Sequence, residues 1–188
     1  MKKLFFLLIF FGYLPAEINW SDPNECKLPD HSIFVNKIIS NMTLEQKVGQ
    51  IIMPEINSIT PEEAKIFSLG TILNGGGGYP NQIKNSSIQD WKNLSKSYYE
   101  ASPEVNGIKI PILWGTDAVH GHNNVIGATI FPHNIALGAT RNEKLIKKIG
   151  SAVAKEVSST GIVWTFAPTI AVPQNDLWGR TCLLYTSP

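Results

Sequence analysis

The sequence predicts an α/β protein, a partial (β/α)8 TIM barrel comprising roughly the first half of the barrel and incomplete as it stands. Three observations carry this. Short apolar runs of strand length alternate with longer stretches whose apolar residues recur at helical spacing. The apolar runs end in loops of polar residues or glycine, at Pro54-Glu55, Asn74–Gly78, Asp117–Asn124 and Pro168–Arg180, which is where barrel enzymes place their chemistry. Four such units occupy 188 residues, whereas a closed barrel of eight strands takes about 250.

The first residues are not part of that rhythm. Lys2 and Lys3 precede an apolar block from Leu4 to Leu14, followed by Pro15 and Ala16. This is the order of a secretory signal, with cleavage expected near Ala16. The block is well short of the roughly 20 apolar residues of a membrane span, so no membrane association is expected after cleavage. Residues 17–31 are polar with Pro23 and Pro29, and read as a linker.

From residue 32 the elements follow in order. Ile33, Phe34, Val35, Ile38 and Ile39 fit a helix with one apolar face, and Thr43 with Gln46 forms a capping-box signature that opens a short helix into KVGQ. QIIMPEI reads as a strand ending near Met53. Thr60, Pro61 and Glu63 supply an N-cap, a favoured first residue and the capping acid for a helix through EEAKIFSLG that stops at Gly70. TIL is a minimal strand opening into NGGGG. Ile88, Trp91, Leu94 and Tyr98 mark an amphipathic helix, and IPILWGT a buried strand. Arg141–Thr160 reads as a long helix with Leu145, Ile146, Ile149 and Val153 inward, and GIVWTFAPT as the next strand.

Composition narrows the partners. A net charge of +1 without a long Lys/Arg cluster gives no support to a nucleic-acid surface, and no nucleic-acid partner is expected. Two cysteines, Cys26 and Cys182, could pair after export but do not make a disulfide scaffold. Asn-x-Ser/Thr triplets at Asn19, Asn41, Asn85 and Asn93 matter only in a eukaryotic secretory pathway.

Of the loops, NGGGGYPN lacks the Lys-Ser/Thr of a phosphate loop and the spacing of a dinucleotide fingerprint, so its glycines are read as room for a sharp turn beside a site. His120, His122 and His133 have no acidic or Cys partner at a metal-binding spacing. They are expected to bond loop backbone and, with Asn123, to shape a pocket around Asp117. Asp117 follows a buried strand and precedes a poor helix start, which sets it apart from an N-cap. A carboxylate there suits sugar hydroxyls, since charged acceptors make the stronger hydrogen bonds. Arg180 could form a salt bridge with Asp176 or present a forked donor to two hydroxyls. Trp91, Trp114 and Trp164 read as core, and Trp178, in a loop beside Gly-Arg, as a sugar-facing wall.

Two long segments, GTDAVHGHNNVIGATIFPHNIALGAT and EVSSTGIVWTFAPTIAVPQNDLWGRT, together with KVGQ upstream, closely resemble the N-terminal barrel domain of glycoside hydrolase family 3, in its exo-acting β-glucosidase branch. The resemblance runs from about Asp30 to Thr181. It implies that Asp117 and Arg180 hold hydroxyls of the terminal non-reducing glucose. The stretch VHGHNN differs from the glycine- and arginine-rich sequence of the N-acetylglucosamine-removing branch, while β-xylosidase members remain an alternative. The implied reaction is retaining hydrolysis by two carboxyls about 5–5.5 Å apart. The family's nucleophile, an Asp, lies on a later strand and its acid/base outside the barrel, so no catalytic residue is expected in this chain. The family's Lys-His pair is missing as well. No cofactor or metal is implied.

After WGRT the family continues into an aromatic-Glu stretch, whereas here CLLYTSP follows. Residues 182–188 are accordingly expected to be a non-native tail, and 32–181 the family segment. The resemblance implies an exported parent, periplasmic or extracellular, acting on β-linked gluco-oligosaccharides, with the remaining barrel and a second domain as partners of this segment. The chain alone is expected to be inactive and poorly soluble, because an unclosed sheet leaves an edge uncovered. The alternative of another class is a non-catalytic secreted sugar-binding module.

Overall fold

The computed structural model describes residues 29–169, 174–175 and 177–179. The expected signal, residues 17–28 of the linker, Cys26, Asp176, Arg180, Cys182 and the tail 182–188 lie outside the described residues.

Helices α1 (Ser32–Asn41), α2 (Leu44–Gln50) and α3 (Pro61–Ile66) precede strand β1 (Thr71–Asn74). Then come α4 (Ile88–Glu100), β2 (Glu104–Val105), β3 (Ile108–Lys109), β4 (Leu113–Thr116), α5 (Asn134–Ala139), α6 (Glu143–Ser159) and β5 (Trp164–Thr165). The sheet has the order β1-β4-β5, all parallel, with Ile72 opposite Trp114 and Asn74 opposite Thr116. Parallel neighbours joined by helices make the small, helix-flanked sheet of an unclosed barrel.

Side chains define the starts of the helices. Thr43 accepts from the Gln46 N–H, Thr60 from Glu63 and Ser87 from Asp90, and each partner side chain returns a bond to the cap's own N–H. Asn142 caps α6 by accepting from the Leu145 N–H.

Behind the sheet, β1 and β4 send Ile72 and Trp114 against Trp91 and Tyr98 of α4 and Val153 and Val157 of α6. Trp91 and Ile72 are fully buried. Trp91 and Trp114 rings lie 5.9 Å apart, and the Tyr98 ring meets Trp114 edge-on at 5.7 Å.

Four local expectations are corrected. The run QIIMPEI forms no strand to Met53; it pairs with β1 through a single bridge, Glu55 to Leu73, because Pro54 has no N–H to extend a ladder. Helix α3 ends at Ile66, before Gly70, since Ser68 takes a left-handed conformation at φ 51°. On α6 the inward stripe is Ile149, Val153 and Val157, while Leu145 and Ile146 are each 38% exposed; packing against the sheet falls on the C-terminal half of the helix. Trp164 is 42% exposed, outside the core and edge-on to Phe166.

The hairpin β2–β3 adds to the elements expected from the sequence, although Asn106-Gly107 carries its signal. Both residues take positive φ, 50° and 77°, which the tight turn between antiparallel strands requires. Ile33 on α1, Ile51 just after α2 and Ile66 on α3 are largely exposed. Among the described residues no helix is long and apolar enough to cross a membrane.

Candidate functional site

The parallel strands deliver their C-terminal ends to one edge of the sheet. Asn74, Thr116 and Thr165 form a row there in register, and Asp117 is the next residue along β4. Its side chain is exposed, as a group that meets a soluble ligand must be. Asp117 lines none of the grooves beside Tyr79 and Tyr98, beneath α2 and α3, between α1 and α2, or at the start of α6.

The loop after Asp117 is cinched into a compact unit. The Phe131 N–H donates to the His120 carbonyl at 2.7 Å, and His120 Nδ1 lies 2.7 Å from the Phe131 carbonyl oxygen. Residues 120–131 thus leave and return at one point, as in an Ω-loop. Inside it, Gly121 has φ 138° and lies so close to the Thr129 carbonyl that a Cβ would strike it. Only glycine meets both demands.

The three histidines divide into two environments. His120 and His133 rings lie 5.2 Å apart. His122 turns away into the core, fully buried, its ring 6.0 Å from Trp91 and its Nε2 3.1 Å from Thr160 Oγ1. Thr160 Oγ1 donates to the Val157 carbonyl at 2.6 Å, so its lone pair accepts and His122 carries its proton on Nε2. Burial holds His122 neutral, its pKa lowered to about 4. Among the described residues no three His, Cys, Asp or Glu side chains gather where they could hold a metal ion.

Neighbouring loops brace this one. Asn124 is buried and donates from Nδ2 to the Gly75 carbonyl at 3.0 Å. Trp114 Nε1 donates to Asn74 Oδ1 at 2.8 Å. The glycine run turns through a bond from the Gly78 N–H to the Gly75 carbonyl at 3.1 Å. None of its glycines takes a positive φ; at Gly78 a Cβ would crowd the Glu55 carboxylate and Asn74 Cβ. Asn123 is half-buried. Trp178, 39% exposed, follows an Asn175 turn in which the Leu177 N–H donates to Asn175 Oδ1 at 2.8 Å. Arg180, the expected partner of Asp117, lies outside the described residues.

Sequence reasoning missed Asn74, Asn124 and Thr160 as members of this framework. Asn124 lies within the VHGHNN stretch itself. Asn74 and Thr160 are identifiable only once the sheet places β1 beside β4 and the end of α6 behind the loop.

Comparison with known proteins decides the family. The model of the glycosyl hydrolase family 3 N-terminal domain matches residues 43–187. The chain belongs to glycosyl hydrolase family 3.

Within family 3, the chain is 32% identical over 161 residues to the lysosomal beta glucosidase of Dictyostelium discoideum, covering 78% of this chain and 20% of that protein. It is 25% identical over 149 residues to the periplasmic beta-glucosidase of Salmonella typhimurium, covering 78% and 17% respectively. Among solved structures it resembles an exo-1,3/1,4-beta-glucanase from a Pseudoalteromonas species, with 49% identity and a TM-score of 0.72 over 81% of this chain and 19% of that one. The chain thus spans about a fifth of the length of the curated relatives it matches.

Proposed function

We propose that this chain supplies the glucose-holding side of the active site of an exported β-glucosidase, one that releases terminal non-reducing β-D-glucosyl residues from oligosaccharides. The observation that carries the reading is Asp117: an exposed carboxylate at the end of a buried strand, three residues before a loop closed upon itself at His120 and Phe131. A carboxylate acceptor holds sugar hydroxyls more strongly than a neutral one, and a braced loop beside it lowers the ordering cost of binding. Arg180 is its proposed forked partner, with Trp178 as an apolar wall and His120, His122 and Asn123 shaping the loop around it. The 49% identity to an exo-acting beta-glucanase supports glucose over other sugars, and the periplasmic relative supports export.

Asp117 and Arg180 bind; they do not perform the displacement. Retaining hydrolysis needs a nucleophile and an acid/base about 5–5.5 Å apart. The proposed sources of both are the remaining barrel strands and a second domain, which would also cover Ile33, Ile51 and Ile66. The isolated chain is accordingly inactive in this reading.

The test is glucose binding to the 188-residue chain, followed by tryptophan fluorescence or ligand-observed NMR, with D117N alongside. Saturable binding lost in D117N supports the reading, and absence of binding in the unaltered chain counts against it. Xylose bound in preference to glucose would shift the assignment to a β-xylosidase. Turnover of an aryl glucoside above a matched blank would overturn the inactivity.

A further inference from the structure

The loop that follows Asp117 is held from behind by a residue that plays no part in the sugar-binding proposal. Glu156, half-buried on α6, faces Thr129 with both carboxylate oxygens. The Thr129 N–H lies 3.2 Å from Oε1 and 3.1 Å from Oε2, and the Thr129 hydroxyl donates to Oε1 at 2.8 Å. One turn further along the same helix, Thr160 meets His122. Residues four apart share a helix face, so one stripe of α6 grips the loop at both 122 and 129.

From Thr129 the path to Asp117 is short and continuous. The Thr129 carbonyl packs against Gly121 without room for a Cβ. Two residues on, Phe131 closes the loop onto His120, three residues from Asp117. Loosening Thr129 therefore releases the closure that sets the direction in which the chain leaves Asp117.

We propose that Glu156 is a positioning residue for Asp117, acting through the Thr129 clamp to present the sugar-binding carboxylate in one orientation. The sugar-binding part rests on the reading of Asp117 above; the clamp does not. A carboxylate suits the task because both of its oxygens accept, taking an amide and a hydroxyl at once, whereas a glutamine offers one acceptor oxygen and must donate from its NH2 instead.

The experiment compares the full chain with E156Q, E156A and T129V by amide hydrogen exchange and backbone NMR, and titrates each with glucose. The expected result is Thr129 amide exchange accelerated about tenfold or more in E156A, the size of losing a bond to a charged acceptor. The Asp117 amide resonance should shift, E156Q should fall between E156A and the unaltered chain, and Val153 in the body of α6 should exchange as before. Glucose affinity should weaken several-fold in E156A at temperatures where the chain stays folded. Unchanged Thr129 exchange would overturn the clamp. Faster exchange with an unmoved Asp117 resonance and unaltered affinity would overturn the positioning role and leave a merely structural contact. A chain that binds no glucose would remove the sugar assignment of Asp117, while the Thr129 and Asp117 readouts would still decide the clamp. T129V, which keeps the amide bond and loses the hydroxyl, guards against misfolding of E156A; an Asp117 resonance unmoved in both variants also overturns the proposal.

Discussion

His122 Nε2 sits 3.1 Å from Thr160 Oγ1, joining the centre of the loop after β4 to the C-cap of α6. The pair spans 38 residues of sequence, and both residues are completely buried. The contact makes the loop part of the core, with Trp91 on its other side.

Stability should therefore fall with acid in a window set by His122. Burial lowers its pKa to about 4 from the ordinary 6.5. Between those values the unfolded chain binds a proton that the folded chain excludes. The contribution is thus present in full above about pH 6.5 and is lost as pH falls toward 4, with a slope of at most about 1.4 kcal/mol per pH unit. Urea midpoints at several pH values in that window measure it, and H122Q should flatten the curve. Glu63 and Asp90, lowered by hydrogen bonds from Thr60 and Ser87, lose their contributions as pH falls further, through their depressed values.

Truncating the core centre should cost the most. Trp91 is fully buried among Trp114, His122 and the β1 face, and Trp91→Ala should destabilise by about 3–5 kcal/mol. Ile72→Val, which removes one methylene from an equally buried site, should cost about 0.5–1.5 kcal/mol. Equal effects in denaturant titration would contradict this packing.

Gly121→Ala should loosen the loop. The new Cβ would collide with the Thr129 carbonyl at a φ of 138°, adding backbone strain of about 1–3 kcal/mol to the clash. Accelerated amide exchange within 120–131, with β1 unaffected, is the expected signature.

Helix α3 depends on its cap. It has six residues, and Thr60 and Glu63 satisfy each other's backbone N–H groups. Thr60→Ala should lose about 0.5–2 kcal/mol, visible as faster amide exchange at Glu63 and Ala64. Thr60→Ser, which keeps the capping hydroxyl, should retain most of that stability.

Asp117→Asn should separate binding from folding. The side chain is exposed, and surface changes away from special features stay within about 0.5 kcal/mol. Glucose binding should be lost with the melting temperature nearly unchanged; a large drop in melting temperature would instead mark Asp117 as structural.

Much of the fold was legible because local physics dominated it. The boxes at Thr43 and Thr60 are three-residue relationships, and the spacing of Trp91, Leu94 and Tyr98 needs only the pitch of a helix. Where reading failed, a distant neighbour decided. Leu145 and Ile146 obey the periodicity of α6 yet stay outside the core, since packing rather than pattern selects which turns are covered. Pro54 reduced an apolar run to one bridge.

The sequence by itself determined the alternation of strands and helices, the helix starts, and the placing of Asp117 at the end of a buried strand, all set by side chains a few residues apart. Only the tertiary structure decided that His122 lies in the core, that Asn124 holds Gly75, and that Glu156 holds Thr129. Those are bonds between residues 27 to 49 apart, and no local spacing encodes them: they exist because parallel strands must be joined by helices, which sets the loop after β1 beside the loop after β4 and brings the far end of α6 back against it.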